Sequence, residues 1–196
     1  MAKPLDAAAL DQLFRQARTY NGYTDEPVAE ADLRAIYDLM KMGPTSANMQ
    51  PARIVWCVSG EAKEKLAALA SPGNAPKIRA APVTAIVGMD MAFYEHLPRT
   101  FPHTDARAWF VGKDRLIADS AFRNSSLQGA YMILAARALG FDTGPMSGFD
   151  NEAVDAAFFA ETTIRSNFIC TIGRGDPAAA YARNLRLDFD EATRLV

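Results

Sequence analysis

Several common catalytic signatures are missing from this chain. It has two cysteines, Cys57 and Cys170, and no Cys-x-x-Cys pair, so neither a structural zinc site nor a dithiol redox centre has support. Both cysteines sit in apolar, β-rich runs and read as small buried hydrophobes. The two histidines, His96 and His103, have no ligand cluster around them, and no metal site is expected. There is no Walker loop, no G-x-S-x-G and no HExxH, and no G-x-G-x-x-G follows a strand. "IGRGDP" has two glycines, but a proline and an alanine run follow them. No basic stripe is present and the formal net charge is −2, which argues against nucleic acid as a partner. Charge or glycine breaks every apolar run well short of a membrane span, and the opening residues lack the apolar core of a signal peptide. A cytoplasmic location is the expectation. Any hard chemistry would have to be carried by a cofactor.

What remains is a globular composition, 49% apolar and 22% charged over 196 residues, enough for one domain spanning 1–196. Periodicity predicts helices over 6–18, 30–42, 61–70, 114–139 and 151–159, with strands over 53–59, 83–89 and 167–172. The run from Val83 to Met89 is apolar nearly throughout, as in a strand buried on both faces. The centre of the longest helix, residues 129–136, is apolar almost all round and reads as a core or interface element. Residues 90–113 mix prolines, aromatics and charges and read as an excursion or lid. Residues 181–196 read as an extended C-terminal arm. Helices and strands alternate irregularly, so the expected class is α+β or mixed α/β.

Four separated stretches have the composition of ligand-contacting loops. They are Arg18-Thr19-Tyr20-Asn21-Gly22-Tyr23, then Pro44-Thr45-Ser46-Ala47-Asn48-Met49-Gln50-Pro51, then "GFDTGPMSGFD" over 140–150, which contains Pro145-Met146-Ser147-Gly148-Phe149, and Arg183 with Arg186 in the arm. Each alone has a plain reading as a turn, a capped loop or a surface charge. In this order and spacing they resemble the FMN-dependent nitroreductase family over essentially the whole chain. That family has an Arg-Ser-x-Arg-x-Phe motif, a Pro-Ser-x-x-Asn-x-Gln-Pro loop, a glycine-containing loop after the central helix, and a basic arm closed by an acidic pair. The acidic pair is matched here by Asp190 and Glu191. The strings "ARTYNGY", "FPHTDARAWF", "AFRNSS" and "GPMSGFD" are further similar to the malonic semialdehyde reductase branch of bacterial pyrimidine degradation.

The resemblance implies an α+β nitroreductase-like fold: a mixed, mostly antiparallel central sheet flanked by helices. It also implies an intertwined homodimer with FMN at the subunit interface. NADPH or NADH would be the co-substrate, in ping-pong hydride transfer through the flavin N5. The implied flavin contacts are Arg18, Thr19, Asn21, Pro44, Thr45, Ser46, Asn48, Asn124, Pro145, Met146, Ser147, Gly148, Arg183 and Arg186. Arginine forks suit a phosphate dianion, and small residues allow close backbone approach to a flat ring. Within the family the second loop reaches the flavin of the neighbouring subunit. Asn21 departs from the pattern, because the family usually has an arginine there. A small acid substrate needs a cation, and the excursion offers Arg99 and Arg107 beside His103 and Trp109, with Arg53 and Arg123 as further options. Broad nitro, quinone or enone reduction is the alternative enzyme reading, and a non-catalytic FMN binder is the alternative of another class.

Overall fold

The computed structural model describes residues 3–196. Four strands form one sheet: β1 (Ala52–Cys57), β2 (Val83–Asp90), β3 (Asp142–Met146) and β4 (Ile164–Gly173), in the order β1-β2-β4-β3. All three pairings are antiparallel, with Val55 opposite Ile86, Ile86 opposite Ile169, and Gly144 opposite Thr171. The expected parallel component is confined, among the described residues, to one isolated bridge between Thr19 and Thr143. β2 is the central strand and is buried on both faces, as its unbroken apolar run requires.

Helices cover the two faces of the sheet. On one face α2 (Glu30–Met40) and α6 (Asp114–Ala138) build a core with Leu33, Ile36, Met40, Met132 and Ala136 against Val83, Ala85 and Val87. On the other, α3 (Gly60–Ala67), α4 (Ala75–Ala80) and α7 (Asn151–Phe158) enclose Leu66, Ile78 and Val154 against Ile86 and Ile169. Gly129 lets α6 lie flat on the sheet, since a Cβ there would come 2.4 Å from the Phe168 ring. Asp150 and Ser59 cap their helices by accepting from the Ala153 and Ala62 amides.

One expectation needs correction. The first helix is shorter than expected: it is α1 (Ala7–Leu10) extended by a π-helical turn over Asp11–Arg15, and no residue in it is buried. Leu10, Leu13 and Ala17 of the apolar stripe are half-buried, and Phe14 is 53% exposed. The excursion at 90–113 carries some helix, as expected, and is docked on the chain. It folds into helical turns over Phe93–His96, α5 (Leu97–Thr100) and Arg107–Trp109, and sinks Phe93, Leu97, Ala106 and Phe110 into a third apolar cluster with Met49 and Ile117. The arm beyond residue 180 is exposed throughout and carries one helical turn, α8 (Phe189–Ala192). No helix among the described residues is long and apolar enough to cross a membrane, and no group of three or more His, Cys, Asp or Glu among them could hold a metal.

Candidate functional site

The arm folds back over the end of the first helical segment. Arg183 Nη2 donates to the carbonyls of Arg15 at 2.8 Å and Ala17 at 2.9 Å, satisfying carbonyls that a helix end leaves unpaired. Arg18 in turn donates to the Tyr181 carbonyl. Between them lies a cavity of about 500 Å³. Arg18, Lys77, Arg137, Arg183 and Arg186 line it with Thr19 and Asn21, and none of the described lining residues is a carboxylate. Like charges lining one cavity repel, and an anion between them would relieve that repulsion. The first and fourth sequence stretches thus meet, as expected of a phosphate site.

The third stretch joins them through the sheet. Tyr20 N donates to the Thr143 carbonyl at 3.2 Å, so the Arg18–Tyr23 segment runs along the outer edge of β3. Thr171 Oγ1 donates to the Gly144 carbonyl at 3.2 Å and lies 2.7 Å from the Tyr23 hydroxyl. Thr171 has a single hydroxyl proton, so Tyr23 is the donor in that second contact. Burial pushes the Tyr23 phenol well above its ordinary value and keeps it protonated. Pro145 and Ser147 are exposed and Met146 and Gly148 half-buried. Gly148 is required by its own chain: its carbonyl accepts from Ser71 N at 3.0 Å and Asn74 Nδ2 at 3.1 Å, and a Cβ would come 2.8 Å from both side chains.

That contact exposes two residues the sequence reading missed, Asn74 and Lys77. Asn74 precedes α4 and Lys77 lies within it, on the cavity wall. α4 is only six residues long, too short to show periodicity. Pro76 near its start was the available signal.

The second stretch lies elsewhere. Ala47, Asn48 and Gln50 all have left-handed backbones, with φ of 47°, 46° and 43°. Such a run costs strain and persists only when other contacts hold it. Asn124 Oδ1 accepts from Ser46 N at 2.8 Å, Thr45 Oγ1 from Gln50 N at 3.2 Å, and Asn48 Nδ2 donates to the Thr100 carbonyl at 2.8 Å. Pro44, Ser46 and Asn48 are exposed. Asn124 is 2% exposed and its Nδ2 also donates to the Ser120 carbonyl, so both ends of its amide are engaged within the chain. It positions the loop rather than facing a ligand. From Asn124 to Arg137 is 13 residues (137 − 124), roughly 20 Å along α6. One chain therefore does not bring the second stretch to the cavity where the first and fourth meet, and the third borders that cavity only through the pairing of β3 with the Arg18–Tyr23 segment.

The substrate candidates are scattered. Both arms of the Arg107 fork are filled by Glu95, at 2.7 and 2.8 Å, which removes it as a free carboxylate binder. Trp109 packs on Phe101, and Phe101 on His103, at ring separations of 6.1 and 5.3 Å. Arg99 is exposed and has no ion pair among the described residues. It lines a second cavity of about 460 Å³ with Gln50, Arg53, His96 and Gln128. Arg53 is held there by Asp90 at 2.7 Å.

An antiparallel four-stranded sheet flanked by helices, one of them long and central, is the nitroreductase-like α+β fold. The same architecture occurs in a Bacillus subtilis nitroreductase-type structure (TM-score 0.85, 23% identity, covering 97% of this chain and 100% of that one). It also occurs in an Exiguobacterium sibiricum structure solved with FMN (TM-score 0.86, 21% identity, covering 100% and 99%). The model of the Nitroreductase family matches residues 14–174, and the chain belongs to that family. A Burkholderia lata relative is 62% identical over 191 residues, covering 97% of this chain and 98% of its own. A Stenotrophomonas maltophilia relative is 60% identical over the full length of both chains. Both are named as candidate NADH dehydrogenase/NAD(P)H nitroreductases.

Proposed function

We propose that this protein is an FMN-dependent NAD(P)H oxidoreductase whose physiological substrate is malonic semialdehyde, reduced to 3-hydroxypropanoate. The observation that carries the flavin assignment is the cavity with five cationic side chains and no carboxylate among its described lining. Two of the four stretches that match the family's flavin motifs, the first and the fourth, build most of it, and Lys77 and Arg137 complete it. The residues fit FMN. Arg18, Lys77, Arg183 and Arg186 would hold the phosphate, with the Thr19 hydroxyl as a further donor. The β3 edge and the Pro145–Gly148 loop would border the ring.

Bound FMN supplies the hydride relay between nicotinamide and second substrate that no side chain here could perform. The protein's part is to bind, orient and exclude water. Tyr23, held protonated against Thr171, fixes the segment carrying Arg18, Thr19 and Asn21. The strained, pinned loop at 44–50 is presented outward, and a second copy of the chain would bring it to the flavin. Exposed apolar side chains on α6, Phe122, Leu127 and Tyr131, together with Leu185, Leu187 and Phe189 in the arm, support such an intertwined homodimer.

The aldehyde substrate follows from the resemblance to the malonic semialdehyde reductase branch, and Arg99 is an arginine of the excursion without an ion pair among the described residues, available for its carboxylate. The relatives' names favour a second reading, broad reduction of nitro or quinone compounds. Turnover of malonic semialdehyde and of a nitroaromatic, each with NADH and with NADPH, separates the two. Faster reduction of the aldehyde with parallel-line kinetics is expected. Activity confined to nitroaromatics would overturn the substrate, and a required ternary complex would overturn the two-stage scheme.

A further inference from the structure

Arg137 and Lys77 are the cavity cations that the quoted family motifs do not include, and the surroundings of Arg137 are unusual for a structural arginine. Arg137 lies in the last turn of α6. Its Nη1 donates to the Leu13 carbonyl at 3.3 Å, a long bond, and its Nε is buried with no hydrogen-bond partner among the described residues. It forms no ion pair among the described residues, while Arg18, Lys77, Arg183 and Arg186 share its cavity. Burial favours its uncharged form, the nearby Asp142 carboxylate opposes this in part, and the charge of Arg183 adds to it. The carboxyl end of α6 offsets part of this, since a cation is favourable there.

The whole is still a poor arrangement for stability alone. Leaving a buried donor unpaired costs free energy, and an apolar side chain of similar length would pack there at no electrostatic cost. Gln12 Nε2 already satisfies the Arg137 carbonyl at 2.7 Å, so the residue's own backbone makes no demand for this side chain. The guanidinium is thus desolvated, short of partners and placed on the wall of an anion cavity.

We propose that Arg137 is an additional anchor for the phosphate group in this cavity, and that the chain accepts a half-buried arginine with an unpartnered Nε and no ion pair among the described residues in the ligand-free protein in order to hold that phosphate tightly. Phosphate binding then relieves a repulsion built into the fold, so occupancy of the cavity and stability of the arm are coupled. The inference rests on the flavin-phosphate reading of the cavity.

The test compares wild type, Arg137→Gln and Arg137→Lys as full-length protein stripped of cofactor. Melting is followed with inorganic phosphate and with sodium chloride at equal ionic strength. FMN and riboflavin affinities are measured alongside, riboflavin serving as the phosphate-free control. Gln keeps an uncharged donor amide in place of the guanidinium. Stripped Arg137→Gln should melt at or above wild type, lose at least half of the phosphate-induced rise, and bind FMN roughly tenfold more weakly. Its riboflavin affinity should not change, and Arg137→Lys should recover most of the phosphate response. An Arg137→Gln protein that melts below wild type or fails to fold contradicts the proposal, because the charge is then an asset to the empty fold. So does an unchanged ratio of FMN to riboflavin affinity. A wild type that neither binds FMN nor responds to phosphate would instead overturn the underlying flavin reading, and would leave no phosphate for Arg137 to hold.

Discussion

The buried amide of Asn124 accepts the Ser46 N–H at 2.8 Å, tying the strained loop at 44–50 to the middle of the longest helix. Asn124→Ala removes the acceptor and leaves a void at a position only 2% exposed. A loss of about 1–3 kcal/mol is expected in urea unfolding. FMN retention should fall as well, because the left-handed run at Ala47, Asn48 and Gln50 loses one of its tethers. Unchanged flavin retention in a folded variant would show that the loop is not part of the site.

Gly144 is a close-approach glycine. A Cβ there would come 2.5 Å from Thr171 Oγ1 and 2.7 Å from the Tyr20 carbonyl, which is backbone and cannot swing aside. Gly144→Ala should cost about 1–3 kcal/mol by overpacking. It should also displace the Arg18–Tyr23 segment, so loss of bound flavin should exceed what the stability change alone accounts for. Thermal melting and flavin content of the same preparation check both.

Asn21 lines the cationic cavity where the family usually places an arginine. An uncharged group stabilises an anionic reduced flavin less than a cation does. Asn21→Arg should therefore raise the two-electron midpoint, by roughly 30 mV for about 1.4 kcal/mol of added stabilisation. Potentiometry decides, and an unchanged or lowered midpoint would remove the residue from the electrostatics of the ring.

The two thiols give a pH prediction. Burial pushes Cys57 up to about 11 and Cys170 up to about 12, from an ordinary value of 9.0. Below pH 9 both states of each thiol are neutral and the contribution is constant. As pH rises from 9 toward 11 the unfolded chain ionises first, binds fewer protons than the native one, and stability falls. Chemical denaturation across that range should show the decline, and Cys57→Ala with Cys170→Ala should flatten it. At pH 8 neither thiol should react with a thiol reagent until the chain unfolds.

Much of this architecture could be read before any coordinates. α2, α6 and β2 announce themselves because each buries a long periodic or continuous apolar run. The short elements do not. β3 spans Asp142–Met146 and includes Gly144 and Pro145, so it carries no strand pattern; its pairing with β4 is set by the Thr171–Gly144 contact and the tyrosines packed over it. α4 hid Lys77 for the same reason of length. Arg18, Thr19, Asn21, Arg183 and Arg186 converge on one cavity as their motif order suggests. Asn124 was named only through the family resemblance, and the Ser46 contact shows what its side chain holds. Arg107 looked free in sequence because its partner Glu95 stands 12 residues away on a separate helical turn.

The central claim is that the basic cavity holds FMN for nicotinamide-driven reduction, and one spectrum tests it most directly. Purified protein, reconstituted with FMN and freed of excess, is titrated with NADH or NADPH in the absence of air. Retained yellow absorption that bleaches in proportion to added nicotinamide is the predicted result. Protein that keeps no flavin colour after reconstitution, or keeps it unbleached with either nicotinamide, would contradict the claim.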